Sequence, residues 1–324
     1  MEDDVVDANI ISKTQDRANW MSQLPQSLWD VPLYNLALPG SHDTMTYCLD
    51  RESPLSVSNP LVLKILDCII PCITRPCLYK WGTTQLQAVS AQLDIGIRYF
   101  DLRIAHKEGD TTDALYFAHG IYTLLTVKET LRDIAKWLSC HPKEVVILAC
   151  SMFEGLTPDL HQDTILFMKN LFGSKIFPNI SEEPATLRML WKLGCQVIIS
   201  YDDPAASGHE ELWPNIPYWW ADQVDPKAVL SYLDEQKQLG RPEGFFVAGL
   251  NLTEDTQYIL THPCQSMKTL TLRNYRLFLD WVQKQAPGPG KTCLNIICAD
   301  FVGNSDFISV VIDLNKKLAA RLTS

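Results

Sequence analysis

The chain has 324 residues, 46% of them hydrophobic, and a formal net charge of −10. That length and apolar content can bury one full core, while the acidic balance argues against nucleic acid as a partner and leaves any attraction to an anionic membrane to a local patch. The start Met1-Glu2-Asp3-Asp4 lacks the basic and then apolar pattern of a secretory leader, and the longest uncharged apolar stretches fall far short of a membrane span. A cytoplasmic protein with no transmembrane segment is expected, associating with membranes peripherally.

Read in chain order, short apolar runs alternate with helix-period segments. The candidate strands are Asn35 to Leu38, Ile97 to Ile104, Leu115 to Ala118, Val145 to Met152, Gln196 to Tyr201, Tyr218 to Ala221, Phe245 to Leu250 and Leu294 to Ala299. Between them Leu131, Ile134, Ala135 and Leu138 repeat at helical spacing, as do Leu272, Tyr275, Leu279 and Val282. This alternation predicts an α/β chain folded as a (β/α)8 TIM-like barrel, with distortion at the short sixth strand and at a helical excursion inserted over Ser53 to Lys80. One domain over 21–324 is expected, after an N-terminal extension over 1–20. The cysteines are scattered through apolar strands, as at Cys150, Cys195 and Cys298, where a reduced thiol acts as a small hydrophobe. Cys68, Cys72 and Cys77 crowd one segment, but with no Cys-x-x-Cys pair or nearby histidine they do not read as a zinc site.

Two glycine-bearing turns carry the chemistry. Leu38-Pro39-Gly40-Ser41-His42-Asp43-Thr44 and Ala118-His119-Gly120 each follow an apolar run, which sets each imidazole just past a strand end, where barrel loops hold catalytic groups. Two histidines so placed suit a base and an acid for phosphodiester cleavage. Along Gly96-Ile97-Arg98-Tyr99-Phe100-Asp101-Leu102-Arg103, strand alternation puts Asp101 and Arg103 on one face. Asp101 has either a direct part or the task of holding Arg98 or Arg103. Tyr201 and Asp202 end the fifth candidate strand as substrate-binding candidates, with Tyr201 read either as a stacking surface for the headgroup ring or as packing. Asp300 ends the eighth, beside the first strand in a closed barrel. Of Trp219 and Trp220, alternation turns one ring in and one out.

Together these three motifs, in this order, resemble the phosphatidylinositol-specific phospholipase C X domain, with further echoes at Trp81-Gly82-Thr83-Thr84-Gln85 and Asp300-Phe301. The resemblance implies a phosphoric diester hydrolase that cleaves an inositol phospholipid to diacylglycerol and inositol (cyclic) phosphate. It implies His42 as base, oriented by Asp300, and His119 as acid. In the calcium-dependent animal enzymes the position of Arg103 holds an acidic metal ligand and that of Asp43 an asparagine. The bacterial enzymes have arginine and aspartate, as this chain does, so no cofactor and no metal, calcium included, is expected, and an Arg103–Asp43 pair is. The bacterial pattern also has a basic inositol contact where this chain has Ser151-Met152, which leaves headgroup preference open. The implied partner is a phosphoinositide in a membrane surface.

Two other functions compete. A glycerophosphodiesterase is disfavoured because that family opens with His-Arg-Gly and carries Glu-x-Asp metal ligands. A phosphoinositide-binding barrel without turnover is opposed by the presence of both histidines, Arg103 and Asp300. Finally, Leu61 to Ile73 holds too many apolar residues for one helix stripe. Either it packs wholly against the barrel or a second copy, which the penalty on exposed apolar surface favours, or outward members, Ile65 and Ile69 first, form a rim for a bilayer.

Overall fold

The computed structural model describes residues 16–179, 183–262 and 264–323. The first part of the expected N-terminal extension, 1–15, lies outside them. The strands are β1 (Leu38–Ser41), β2 (Tyr99–His106), β3 (Leu115–His119), β4 (Ile121–Thr126), β5 (Val146–Glu154), β6 (Val197–Tyr201), β7 (Leu212–Trp213), β8 (Tyr218–Trp219), β9 (Val247–Gly249) and β10 (Ile296–Ala299). The helices are α1 (Leu61–Ile69), α2 (Pro71–Gly82), α3 (Val89–Asp94), α4 (Val127–Cys140), α5 (Pro158–Phe172), α6 (Leu187–Leu193), α7 (Pro226–Leu239), α8 (Thr256–Thr261), α9 (Met267–Val282) and α10 (Phe307–Thr323). Among the described residues no helix is long and apolar enough to cross a membrane.

The strands form one curled sheet in the order β7-β6-β5-β2-β1-β10-β9-β8, and every neighbouring pair along that path is parallel. This is a single-domain α/β barrel left open between its end strands. Those two strands are only two residues each, and the link between them begins and ends with Pro214 and Pro217. Each proline lacks the amide that would extend a ladder, so the sheet stops there.

One strand assignment is corrected. Leu115 to Ala118 is not a third wall strand: β3 runs antiparallel to β2, pairing Phe117 with Ile104 and Leu115 with His106, and turns at once into β4. Only residues 107–114 separate β2 from β3, and a parallel crossover needs about a dozen. Gly120, at φ +75°, takes the tight corner. The wall's eighth member is β7. The first strand also begins later than expected. Leu36 and Ala37 are fully buried, but the backbone of 33–37 is held by side chains: Asn295 Nδ2 donates to the Leu33 and Leu36 carbonyls, and Asn315 brackets Ala37 through both its amide and its carbonyl.

Inside the barrel space is scarce. A Cβ on Gly40 would come within 3.0 Å of the Tyr99 ring and 3.2 Å of Cys298 Sγ, so β1 reaches the mouth with no side chain there. Outside, α4 starts on a capping box between Thr126 and Glu129 and lays Leu131, Ile134 and Leu138 on the sheet. Tyr275 and Val282 of α9 are buried likewise. Arg98, wholly buried, donates to Glu144 from Nε (3.0 Å) and Nη2 (2.7 Å) and to the carbonyls of Leu93, Ile97 and Ala18. Arg98 is thus satisfied without Asp101.

Candidate active site

The C-terminal ends of β1, β2 and β10 converge with the β3 corner on one cluster of charge. His42 follows β1 and donates its backbone amide to Ala299 at 3.2 Å. Its Nδ1 lies 2.7 Å from Oδ1 of Asp300, a fully buried carboxylate at the end of β10. An ionised carboxylate only accepts, so Nδ1 carries the proton and Nε2 is free to accept on the pocket side. The resemblance implied this orientation by Asp300, and strand pairing of β1 with β10 provides it.

Asp43 occupies the centre. Its backbone is left-handed (φ +43°), a conformation that costs a non-glycine residue on the order of 1 kcal/mol. The amide it turns inward donates to Asp101 Oδ2 at 3.1 Å. One carboxylate oxygen is 2.5 Å from Arg103 Nε, and the other lies 3.4 Å from His42 Nε2 and 3.5 Å from His119 Nε2. Arg103 also reaches Asp101 Oδ2 at 3.3 Å and His42 Nε2 at 2.9 Å through Nη2. Asp101 therefore holds both the Asp43 turn and the guanidinium.

His119 closes the ring from the hairpin side. Its Nδ1 donates to the Gly82 carbonyl at 2.8 Å, which leaves Nε2 directed to Asp43. A side chain at 82 would put Cβ 2.8 Å from the His119 carbonyl oxygen, so glycine is required for α2 to approach this closely. The two Nε2 atoms thus flank one carboxylate, each fixed by a partner on its Nδ1.

Burial and charge compete at each group. Burial works against the His42 imidazolium, but the Asp43 and Asp300 carboxylates outweigh it and raise the pKa to about 8. Burial likewise opposes the Asp43 anion, yet Arg103 and the two imidazoles hold its carboxyl below the usual range. Burial pushes Asp300 upward against the pull of His42. For Arg103 burial is overcome by Asp43 and Asp101, which keep it charged.

His42, Asp101, Arg103 and His119 line a cavity of about 320 Å³. Its wall follows strand parity: Tyr99, Asp101 and Arg103 of β2 point in, as do Ser200 and then Asp202 past β6. Tyr201, between the last two, does not reach it. Its ring is 2% exposed, packs on Phe153 at 4.6 Å, and its hydroxyl meets His161 Nδ1 at 2.8 Å. Among the aromatic rings that line the pocket, Tyr218 lies 6.2 Å from the His42 ring, with its hydroxyl donating to Asn251 Oδ1 at 2.9 Å. Trp219 turns away onto Phe246, and Trp220 stands at the mouth.

Two contributors escaped sequence reasoning. Gln85 Nε2 donates to both the His42 (2.9 Å) and Ala299 (3.0 Å) carbonyls, pinning the ends of β1 and β10 together. Glu254 lines the pocket past β9, and burial together with the charges of Asp300 and Asp43 raises its carboxyl to about 7. Among the described residues His42, Asp43 and Asp101 bring ligand-type atoms within 4.8 Å of one another. The Arg103 guanidinium already touches all three, so a divalent ion would compete with a fixed cation.

A family model, phosphatidylinositol-specific phospholipase C, X domain, matches residues 77–202. The chain is 55% identical over 300 residues to PI-PLC X domain-containing protein 1 of Danio rerio, covering 92% of this chain and 96% of that one. For PI-PLC X domain-containing protein 1 of Homo sapiens the identity is 50%, with 93% of each chain covered. This protein belongs to the PI-PLC X domain family. Among solved structures, the phosphatidylinositol-specific phospholipase C of Listeria monocytogenes superposes with a TM-score of 0.61 at 20% identity, over 92% of this chain and 98% of that one. A Staphylococcus aureus phosphatidylinositol-specific phospholipase C, studied for modulation of its membrane binding, gives 0.61 at 16% identity over 93% and 98%. At these identities the likeness carries the barrel fold.

Proposed function

We propose that the protein is a metal-independent phospholipase C that cleaves the phosphodiester of an inositol phospholipid. The observation that carries this reading is the pair of imidazole Nε2 atoms, 3.4 and 3.5 Å from one Asp43 oxygen, with Arg103 on the other oxygen of that carboxylate. His42 Nε2 takes the proton of the headgroup 2-hydroxyl, whose oxygen attacks phosphorus. The bond from phosphorus to the glycerol oxygen breaks, and His119 Nε2 protonates that oxygen as it leaves. The products are diacylglycerol and a cyclic inositol phosphate, so atoms and charge balance. Arg103 meets the phosphoryl oxygens with charge and directed N–H groups. Support for acting without a metal is that Arg103 fills the carboxylate set a metal would need.

The ten cysteines, all unpaired, fit a reducing compartment, and we place the protein in the cytoplasm, meeting membranes peripherally. The test is a product assay of purified protein on phosphatidylinositol and its mono- and bisphosphates, with and without chelator. Cyclic phosphate and diacylglycerol formed in chelator are expected. Headgroup binding with no product would establish the non-catalytic barrel instead.

A further inference from the structure

Arg103 and His42 fix where an inositol ring begins in the cavity, and the strand order fixes where it goes next. In the reaction above, Arg103 meets the phosphate carried by the first ring carbon and His42 the hydroxyl on the second. Arg103 lies on β2, His42 follows β1, Asp300 follows β10 and Glu254 follows β9, and the order β2-β1-β10-β9 is unbroken around the wall. With its first two carbons spent on Arg103 and His42, the ring directs its third carbon toward β10 and β9. Asp300 is fully buried against His42, so the carboxyl that lines the cavity on that side is Glu254. The charges that Glu254 feels agree with this placement: they are those of Asp300, His42 and Asp43.

Glu254 stands on a fixed piece of chain. The Leu250 amide donates to the Cys298 carbonyl at 2.8 Å, and the Thr253 amide to the Gln223 carbonyl at 2.9 Å. Two side chains from the β8 segment reach across to the same stretch: the Tyr218 hydroxyl donates to Asn251 Oδ1 at 2.9 Å and Trp220 Nε1 to Thr253 Oγ1 at 2.8 Å. A Cβ on Gly249 would run into both the Tyr218 ring and Asn251 Oδ1, so glycine there is what lets these groups close up. The carboxyl itself is left unused. Among the described residues its hydrogen-bond partner is its own backbone amide, and burial, with Asp300 and Asp43 beside it, raises it to about 7. Ionised it accepts from a hydroxyl and protonated it can also donate, so in both states a hydroxyl suits it. A second phosphate does not: among the described residues that line the cavity, Arg103 alone is a lysine or arginine, and it is held by Asp43 and Asp101.

We propose that Glu254 is the specificity residue for the inositol 3-hydroxyl, bonding that hydroxyl through its carboxyl and excluding a phosphate at the same position. The proposal rests on the phospholipase reading above, which sets the ring in the cavity.

The test compares phosphatidylinositol with 3-deoxy-phosphatidylinositol in detergent micelles, for the parent and for Glu254→Ala. In kcat/KM the parent is expected to favour the lipid that has the hydroxyl by about tenfold, as one hydrogen bond to an acidic group would give, and the variant by less than about twofold. Should the alanine variant melt below the parent, Glu254→Met keeps the length of the side chain and must lose the preference in the same way. A parent without the preference would overturn the proposal. So would a variant that slows on both lipids and keeps the parental ratio, because a structural or purely electrostatic role leaves the ratio alone, or a parent that cleaves phosphatidylinositol 3-phosphate as fast as phosphatidylinositol. If the parent cleaves neither lipid, the phospholipase reading alone fails, and binding of glycerophosphoinositol beside its 3-deoxy form decides Glu254. A preference that Glu254→Ala removes upholds the proposal, and equal affinity, or none, overturns it.

Discussion

Arg103→Lys isolates the chemistry because it keeps the charge and removes the fork. In the parent one guanidinium meets three partners: Asp43 Oδ1 at 2.5 Å from Nε, and Asp101 Oδ2 at 3.3 Å and His42 Nε2 at 2.9 Å from Nη2. A single ammonium on a flexible stem can hold one of these sites well and leaves two poorly met. Hydrogen bonds to charged groups contribute about 1.5–3 kcal/mol each. Losing two, with part of the loss shared by ground and transition states, projects to about 3–4 kcal/mol in the chemical step, or roughly 10²–10³-fold in kcat. The assay is turnover of phosphatidylinositol in excess chelator, with melting temperature as the control for folding. If the lysine variant kept more than about a fifth of parental turnover, a point charge would suffice and the reasoning from the fork would fail. If the parent itself stopped in chelator and recovered with calcium, Arg103 would not be standing in for a metal.

Four further outcomes are expected. His42→Ala and His119→Ala should each lower turnover by about two to four orders of magnitude at unchanged melting temperature, and near-parental cleavage by either would remove it from the acid–base pair. Because His42 must be neutral to accept a proton and its pKa is raised to about 8, kcat/KM should climb with pH up to about 8; a limb centred near the ordinary histidine value would contradict the two-carboxylate environment. The same shift makes a stability claim: the folded pKa lies above the ordinary histidine value of 6.5, so the contribution, up to about 2 kcal/mol, is complete below pH 6.5 and lost as pH rises through about 8, as denaturant titrations across that window would show. Asp300→Asn should move the rising limb to lower pH as well as slow the reaction, whereas a merely structural role for Asp300 would leave the limb where it is.

The barrel was legible because its signal is periodic: seven of the expected apolar runs are wall strands, and burial on both faces is what makes a parallel strand read as a continuous apolar run. The errors occurred where backbone connection, and not apolarity, decides. The run Leu115 to Ala118 looks like its neighbours, but the short link over 107–114 allows only a hairpin, a limit that loop length alone would have revealed. The two-residue strand β7, cut off by Pro214, carries too few residues to show any period. Within Leu61 to Ile73, Ile65 and Ile69 face outward, at 49% and 69% exposure, so the segment is not packed wholly against the barrel.

Within the site, what the sequence could place was set by parity. Asp101 and Arg103, two apart on β2, had to share a face, and they meet Asp43 together. The same rule argues against Tyr201: with Ser200 and Asp202 both lining the cavity, the residue between them must point out of the barrel, and its hydroxyl is satisfied by His161. Gln85 and Glu254 could not be found this way, because each acts from a loop whose path only the folded chain determines. Gln85 ties two strand ends that lie 43 and 214 residues away from it in sequence. Glu254 is set apart by its surroundings: a carboxyl on a polar loop reads as solvated, and burial, with the charges of Asp300 and Asp43 beside it, raises it to about 7. Motif and spacing therefore located the cluster of His42, Asp43, Asp101, Arg103, His119 and Asp300, while the groups that fix strand ends and set the local charge became visible only with the tertiary fold.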